Sequence, residues 1–155
     1  MIDSCVVDAS VGIKLFVAEE FSEAADRFFR RLTTTPPANF YVPDLFFVEC
    51  ANILWKYTRR FDYPADHARQ NIHDLRALAL HTVSTADLIE PAFDLALTYN
   101  LTTYDASYVA LARQLDLPLI TADDSLLRKL NGSDISVQTL KDVDASFTDL
   151  TDTLE

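Results

Sequence analysis

Thr102-Thr103-Tyr104-Asp105-Ala106-Ser107-Tyr108-Val109-Ala110-Leu111-Ala112, followed after a break at Pro118 by Leu119-Ile120-Thr121-Ala122-Asp123, is the stretch that decides the fold. Its first part is rich in alanine and leucine and predicts a helix with Thr103 as N-cap. Asp105 then falls in the first turn, where unpaired N–H groups and the helix dipole stabilise a carboxylate. Pro118 ends the helix, and the short apolar run 119–121 predicts a strand. In an open parallel sheet, helix N-termini and strand C-termini share one edge, where ligands bind. Asp105 and Asp123 are therefore both expected at that edge.

Working outward, the same alternation continues. Strands are expected at 4–8, 40–42, 81–84 and 135–139. Helices are expected at 11–16, at 22–32 with Ser22 as N-cap, and from the candidate cap Asp44 to Arg60. Further helices are expected from Pro64, in a first turn, to Leu80, over 88–99 with Pro91 delaying the regular part, and over 125–130. Hairpin signals are scarce, with glycine only at 12 and 132. The pattern predicts one α/β domain over residues 1–140, a central parallel sheet with helices on both faces. Asp8 and Asp123 would lie on neighbouring strands if the winding reverses after strand one. Residues 141–155 read as an acidic C-terminal tail without fixed structure.

Two further acids stand in equivalent places: Asp8 follows the apolar run Cys5-Val6-Val7, and Glu49 lies near the start of the helix after Asp44. Gathered at one edge, Asp8, Glu49, Asp105 and Asp123 would repel unless a cation joined them or some took up protons. Hard divalent ions such as Mg2+ prefer such oxygen ligands. Taken singly, an Asp after a strand is more often a cap than a ligand; only the joint pattern argues otherwise. Asp123 and Asp124 are adjacent, and one of them is available as the next helix's cap.

The net charge is −11, which argues against a general nucleic-acid-binding surface. Residues 141–155 carry five acids against Lys141, a net of −4, so −7 remains for the other 140 residues. Basic side chains cluster as Arg27-Arg30-Arg31, Lys56-Arg59-Arg60 and Arg128-Lys129, at helix ends where cations complement the dipole. Cys5 and Cys50 sit in apolar segments and read as core residues, not a disulfide framework. His67, His73 and His81 show no ligand spacing. Neither a signal peptide nor a run of about 20 apolar residues is present, so a cytoplasmic protein without membrane attachment is expected.

Val6-Val7-Asp8-Ala9-Ser10, Val48-Glu49-Cys50-Ala51-Asn52, the Thr102–Ala112 segment and Leu119-Ile120-Thr121-Ala122-Asp123, in this order and spacing, resemble a PIN-domain ribonuclease. Within that superfamily the chain is most similar to VapC-type toxins of toxin–antitoxin pairs, over residues 1 to about 140. The resemblance implies a three-layer α/β/α fold and an acidic quartet at Asp8, Glu49, Asp105 and Asp123. It further implies one or two Mg2+ or Mn2+ ions held there, and hydrolysis of RNA that leaves a 5′-phosphate and a 3′-hydroxyl. Asp123 is taken as the ligand because it matches the family's Thr-x-Asp pattern, with Asp124 as an outer group. Ser10 and Thr121 are candidates for hydrogen-bonding the carboxylates, and Asn52, one turn after Glu49, for orienting it. Local capping explains these three equally well.

Partners implied by the resemblance are an RNA substrate, a VapB-like antitoxin whose tail occupies the acidic site, and a second copy of the chain in a homodimer. Phe16, Phe21, Phe28, Phe29, Phe46, Phe47, Trp55 and Tyr57 exceed what a small core hides, so part of this set is expected to line an apolar groove for such partners. Two alternatives remain. A metal-dependent phosphohydrolase of haloacid-dehalogenase or receiver type also uses an Asp after strand one, but the former wants a second acid where Ser10 stands, and Glu49 suits neither. A catalytically silent PIN-like binding module would not need the intact quartet.

Overall fold

The computed structural model describes residues 2–151. Five strands, β1 (Ser4–Val7), β2 (Asn39–Pro43), β3 (His81–Val83), β4 (Leu119–Thr121) and β5 (Val137–Thr139), form one sheet in the order β3-β2-β1-β4-β5. Every pairing is parallel, and the sheet is flanked by helices in the expected three-layer α/β/α arrangement. The winding reverses after β3, not after β1 as the sequence suggested. The order nevertheless makes β1 and β4 neighbours at the switch point, where crevices open at the strand C-termini. The Asp8 N–H donates to the Ile120 carbonyl at 3.0 Å, carrying the β1–β4 pairing up to the acid itself.

The helices are α1 (Ala9–Gly12), continued by a 3-10 turn at Ile13–Leu15, α2 (Ser22–Arg30), α3 (Leu45–Arg60) and α4 (Ala65–Ala77). They continue with α5 (Thr85–Tyr99), α6 (Thr103–Leu115), α7 (Asp124–Lys129) and α8 (Leu140–Thr151). Their termini differ from expectation in instructive ways. Thr102, not Thr103, caps α6, its hydroxyl accepting the Asp105 N–H at 3.1 Å. Ser22 is the first residue of α2 and turns back to the preceding loop, accepting from Glu19 N and donating to the Val17 carbonyl; the cap position is Phe21, with φ 66°. Asp44 precedes α3 but accepts from the N–H and hydroxyl of Thr85, so it serves the start of α5. Pro64 occupies the N-cap of α4. Helix α5 starts at Thr85 and contains Pro91. Both Pro91 and Asp87, whose carbonyl loses its partner there, face solvent, so water can satisfy it.

The main core joins the sheet to the helices. Phe28 and Phe40 stack at 4.4 Å and Phe29 meets both edge-on, which places two of the supposedly excess aromatics inside the core. Phe46 is buried as well. Of Phe21, Phe28 and Phe29, only Phe21 is exposed. A smaller cluster of Ile13, Val17, Leu54 and Ala68 lies under the α3–α4 pair. The acidic segment expected to be an unstructured tail is helical through Thr151. Leu140 and Val143 enter the main core, and Arg27 on α2 forms a two-pronged ion pair with Asp144. Amphipathic spacing won over acidic composition; residues 152–155 lie outside the described residues. Among the described residues no helix is long and apolar enough to cross a membrane.

Candidate active site

Asp8 occupies the N-cap position of α1, yet its side chain makes no capping bond; only its carbonyl accepts from Val11 and Gly12. The carboxylate turns instead toward β4. Its Oδ2 accepts from the Thr121 hydroxyl at 2.8 Å and the Ser10 hydroxyl at 3.0 Å. Those hydroxyls are fixed in turn, Thr121 Oγ1 accepting the Asp123 N–H and Ser10 Oγ accepting the Ala122 N–H, each at 3.0 Å. Ser10 and Thr121 therefore act on the carboxylate as the sequence suggested, and they also pin the β4–α7 turn.

Asp105 rides the first turn of α6, and Glu49 the second turn of α3. Both are half-buried. Asp123 is the N-cap of α7, its Oδ1 accepting the Ser125 N–H at 2.8 Å, while Asp124 is the exposed first residue of that helix. The capping role of the Asp123–Asp124 pair thus belongs to Asp123. Asn52 is exposed and makes no hydrogen bond to Glu49. The partner that sequence reasoning missed is Tyr108, whose hydroxyl donates to Glu49 Oε1 at 2.6 Å. Its signal was present: Tyr108 follows Asp105 by three positions, so the two share a face of α6.

The electrostatics show that these acids sense one another. Burial pushes the Asp8 carboxyl up to about 6; the neighbouring Asp105 charge adds to that, while the two hydroxyls oppose it. Glu49 is raised by burial and by Asp8 and Asp105, against the Tyr108 hydrogen bond. Asp105 is raised by burial and by Asp123, against the Thr102 hydroxyl and the Lys129 ammonium. Cys50, buried beside the group, makes no acidic contribution, because burial holds its thiol well above the ordinary range.

The donor set is anionic and all oxygen, which fits a hard divalent cation. Among the described residues no three His, Cys, Asp or Glu side chains stand placed to ligate one ion directly. Mg2+ retains several waters and takes only one or two protein carboxylates, so acids spread along an open edge fit holding through water. A cavity of about 230 Å³ adjoins the edge, lined in part by Phe21, Asp124, Thr139 and Lys141.

A parallel sheet whose β1/β4 switch point is flanked by Asp8 and Asp123 narrows the class, and likeness to known proteins names it. The PIN domain model matches residues 5–131, and the chain belongs to the PIN-domain family. It is similar to ribonuclease VapC3 of Pyrobaculum aerophilum, 39% identical over 128 residues, covering 80% of this chain and 92% of that protein. It also resembles a protein of the same organism named exonuclease VapC9, 35% identical over 94 residues, covering 59% and 67% of the two chains. Among solved structures, PAE2754 from Pyrobaculum aerophilum superimposes with a TM-score of 0.68 at 22% identity, covering 95% of this chain and 90% of that one. A toxin–antitoxin complex from Klebsiella pneumoniae gives 0.61 at 19%, covering 88% and 97%. At these identities the structural likeness speaks for the fold.

Proposed function

We propose that this chain is a metal-dependent endoribonuclease, the toxin of a VapBC-like type II toxin–antitoxin pair. Asp8, Glu49, Asp105 and Asp123 hold Mg2+ or Mn2+ and carry the chemistry. The observation that supports this most is the placement of Asp8: a buried carboxylate freed from capping and aimed by two hydroxyls, within electrostatic reach of two further acids. A purely structural role would not keep mutually repelling carboxylates together. A divalent ion at this edge supplies charge neutralisation and polarisation of a phosphodiester. The chain's part is to hold Asp8 rigid through Ser10 and Thr121 and Asp123 through Ser125. Glu49 and Asp105, each raised by burial and by neighbouring acids, complete the anionic oxygen set.

The VapC names of the relatives support an antitoxin as partner, and exposed apolar side chains offer it surface: Val48 and Trp55 on α3, and Ile89, Phe93 and Leu97 on α5. A homodimer would cover one of these faces. The chain's overall acidity fits a cytoplasmic enzyme that meets RNA through bound cations and not through a broad basic surface.

The test uses the purified chain on linear and circular single-stranded RNA of the same sequence, with Mg2+, Mn2+ or EDTA. Opening of the circle with metal, no cleavage in EDTA, and loss of cleavage in folded Asp8→Asn and Asp105→Asn are expected. Degradation of the linear form alone would make the enzyme an exonuclease, and full activity in both variants would overturn the site.

A further inference from the structure

Tyr108 lies wholly inside the protein, on the α6 helix that also presents Asp105, and its hydroxyl reaches across to α3 to donate to Glu49 Oε1 at 2.6 Å. A buried tyrosine hydroxyl needs a partner, and any backbone carbonyl would satisfy it. Here the partner is a half-buried acid that belongs to the proposed site, and the bond is short and charge-assisted. The hydroxyl has one proton, and the bond to Glu49 Oε1 uses it.

Glu49 has few other restraints. Asn52, one turn on, is exposed and makes no hydrogen bond to it, and its neighbour Val48 is exposed. A glutamate has three side-chain torsions, and charge repulsion from Asp8 and Asp105 would swing an unrestrained carboxylate away from the edge. Tyr108 opposes that swing from behind. Because Tyr108 and Asp105 sit one turn apart on α6, the bond also fixes the distance between the helices that supply two of the acids.

We infer that Tyr108 is a positioning residue for the metal site, holding Glu49 Oε1 from the protein interior so that the carboxylate is already in place when a divalent cation binds. This rests on the proposed function, in which Glu49 helps to hold the ion. Loss of such an outer partner lowers metal affinity by about 10-fold or more in characterised sites.

The experiment is calorimetric titration of Mg2+ alone into the full chain, its Tyr108→Phe and Glu49→Gln variants and the double variant, with melting temperatures read in parallel. Tyr108→Phe keeps the ring, so the core stays filled. About a 10-fold rise in the Mg2+ Kd is expected in Tyr108→Phe, with no further rise when it is added to Glu49→Gln. A Tyr108→Phe protein that melts lower but binds Mg2+ as wild type does would reduce the residue to a structural role and overturn the inference. Equal Mg2+ binding in Glu49→Gln and wild type would instead remove Glu49 from the proposed site. In the wild-type chain, the 13Cζ resonance of Tyr108 should move on Mg2+ addition; a resonance that stays fixed to saturation would also overturn the inference, whether or not the phenylalanine variant folds.

Discussion

The Thr121 hydroxyl donates to Asp8 Oδ2 at 2.8 Å, joining two residues 113 positions apart in the chain. Ser10 donates to the same oxygen. Each hydroxyl has one proton, so with both spent on Asp8 the 3.3 Å approach of Ser10 to Thr121 carries no bond of its own while the acid is ionised. Thr121→Val keeps the shape but leaves Asp8 with one hydroxyl donor fewer and the Asp123 N–H without its acceptor. A loss of about 1.5–3 kcal/mol in denaturant unfolding is expected, the range for hydrogen bonds to charged groups, together with weaker Mg2+ binding. Unchanged stability would show that water replaces the hydroxyl fully.

Stability without metal should fall as pH rises. The Asp8 carboxyl titrates at about 6 in the folded chain against 3.8 ordinarily, so the native state binds that proton more tightly than the unfolded one. Its contribution is complete below the ordinary value and disappears as pH rises through about 6, a loss of about 3 kcal/mol. Glu49 and Asp105 push in the same direction. In EDTA the melting temperature should be higher near pH 5 than at pH 7, and Asp8→Asn should flatten that difference. Added Mg2+ should recover stability at pH 7 by binding the native state. A flat profile for the wild-type chain between those pH values would contradict this account.

Gly12 is expected to resist substitution for a reason of space. A Cβ there would stand 2.6 Å from Phe46 Cζ. The Phe46 ring is fully buried in the first turn of α3, so it has nowhere to retreat without moving the helix that carries Glu49. Gly12→Ala should cost about 1–3 kcal/mol by overpacking. Phe46→Leu in the same chain should recover part of it, and the two variants together can be read by thermal melts.

Helix α8 should behave as part of the domain. Leu140 and Val143 are both 1% exposed. Leu140→Ala is therefore expected to cost about 2–5 kcal/mol, measured by urea unfolding, whereas an independent tail would give no change. Cleavage activity at a temperature where the variant stays folded should remain, because Leu140 makes none of the hydrogen bonds that hold Asp8, Glu49, Asp105 and Asp123.

The amino-acid sequence by itself determined the alternation of strands and helices, the parallel sheet and the places of Asp8, Asp105 and Asp123, because apolar runs, proline breaks and cap residues act through neighbours along the chain. It also exposed Ser10 and Thr121, since both lie within two residues of an acid. Tertiary structure alone decided the rest. That Asp44 serves α5 and not α3, that Phe28 and Phe29 are core and not surface, and that the acidic C-terminal segment folds back as a helix all depend on what lies opposite in space. Tyr108 shows the limit most plainly. Its periodicity marks a buried helical residue, but the identity of its hydrogen-bond partner, 59 positions away on another helix, follows from how α3 and α6 pack, and packing is a property of the assembled chain.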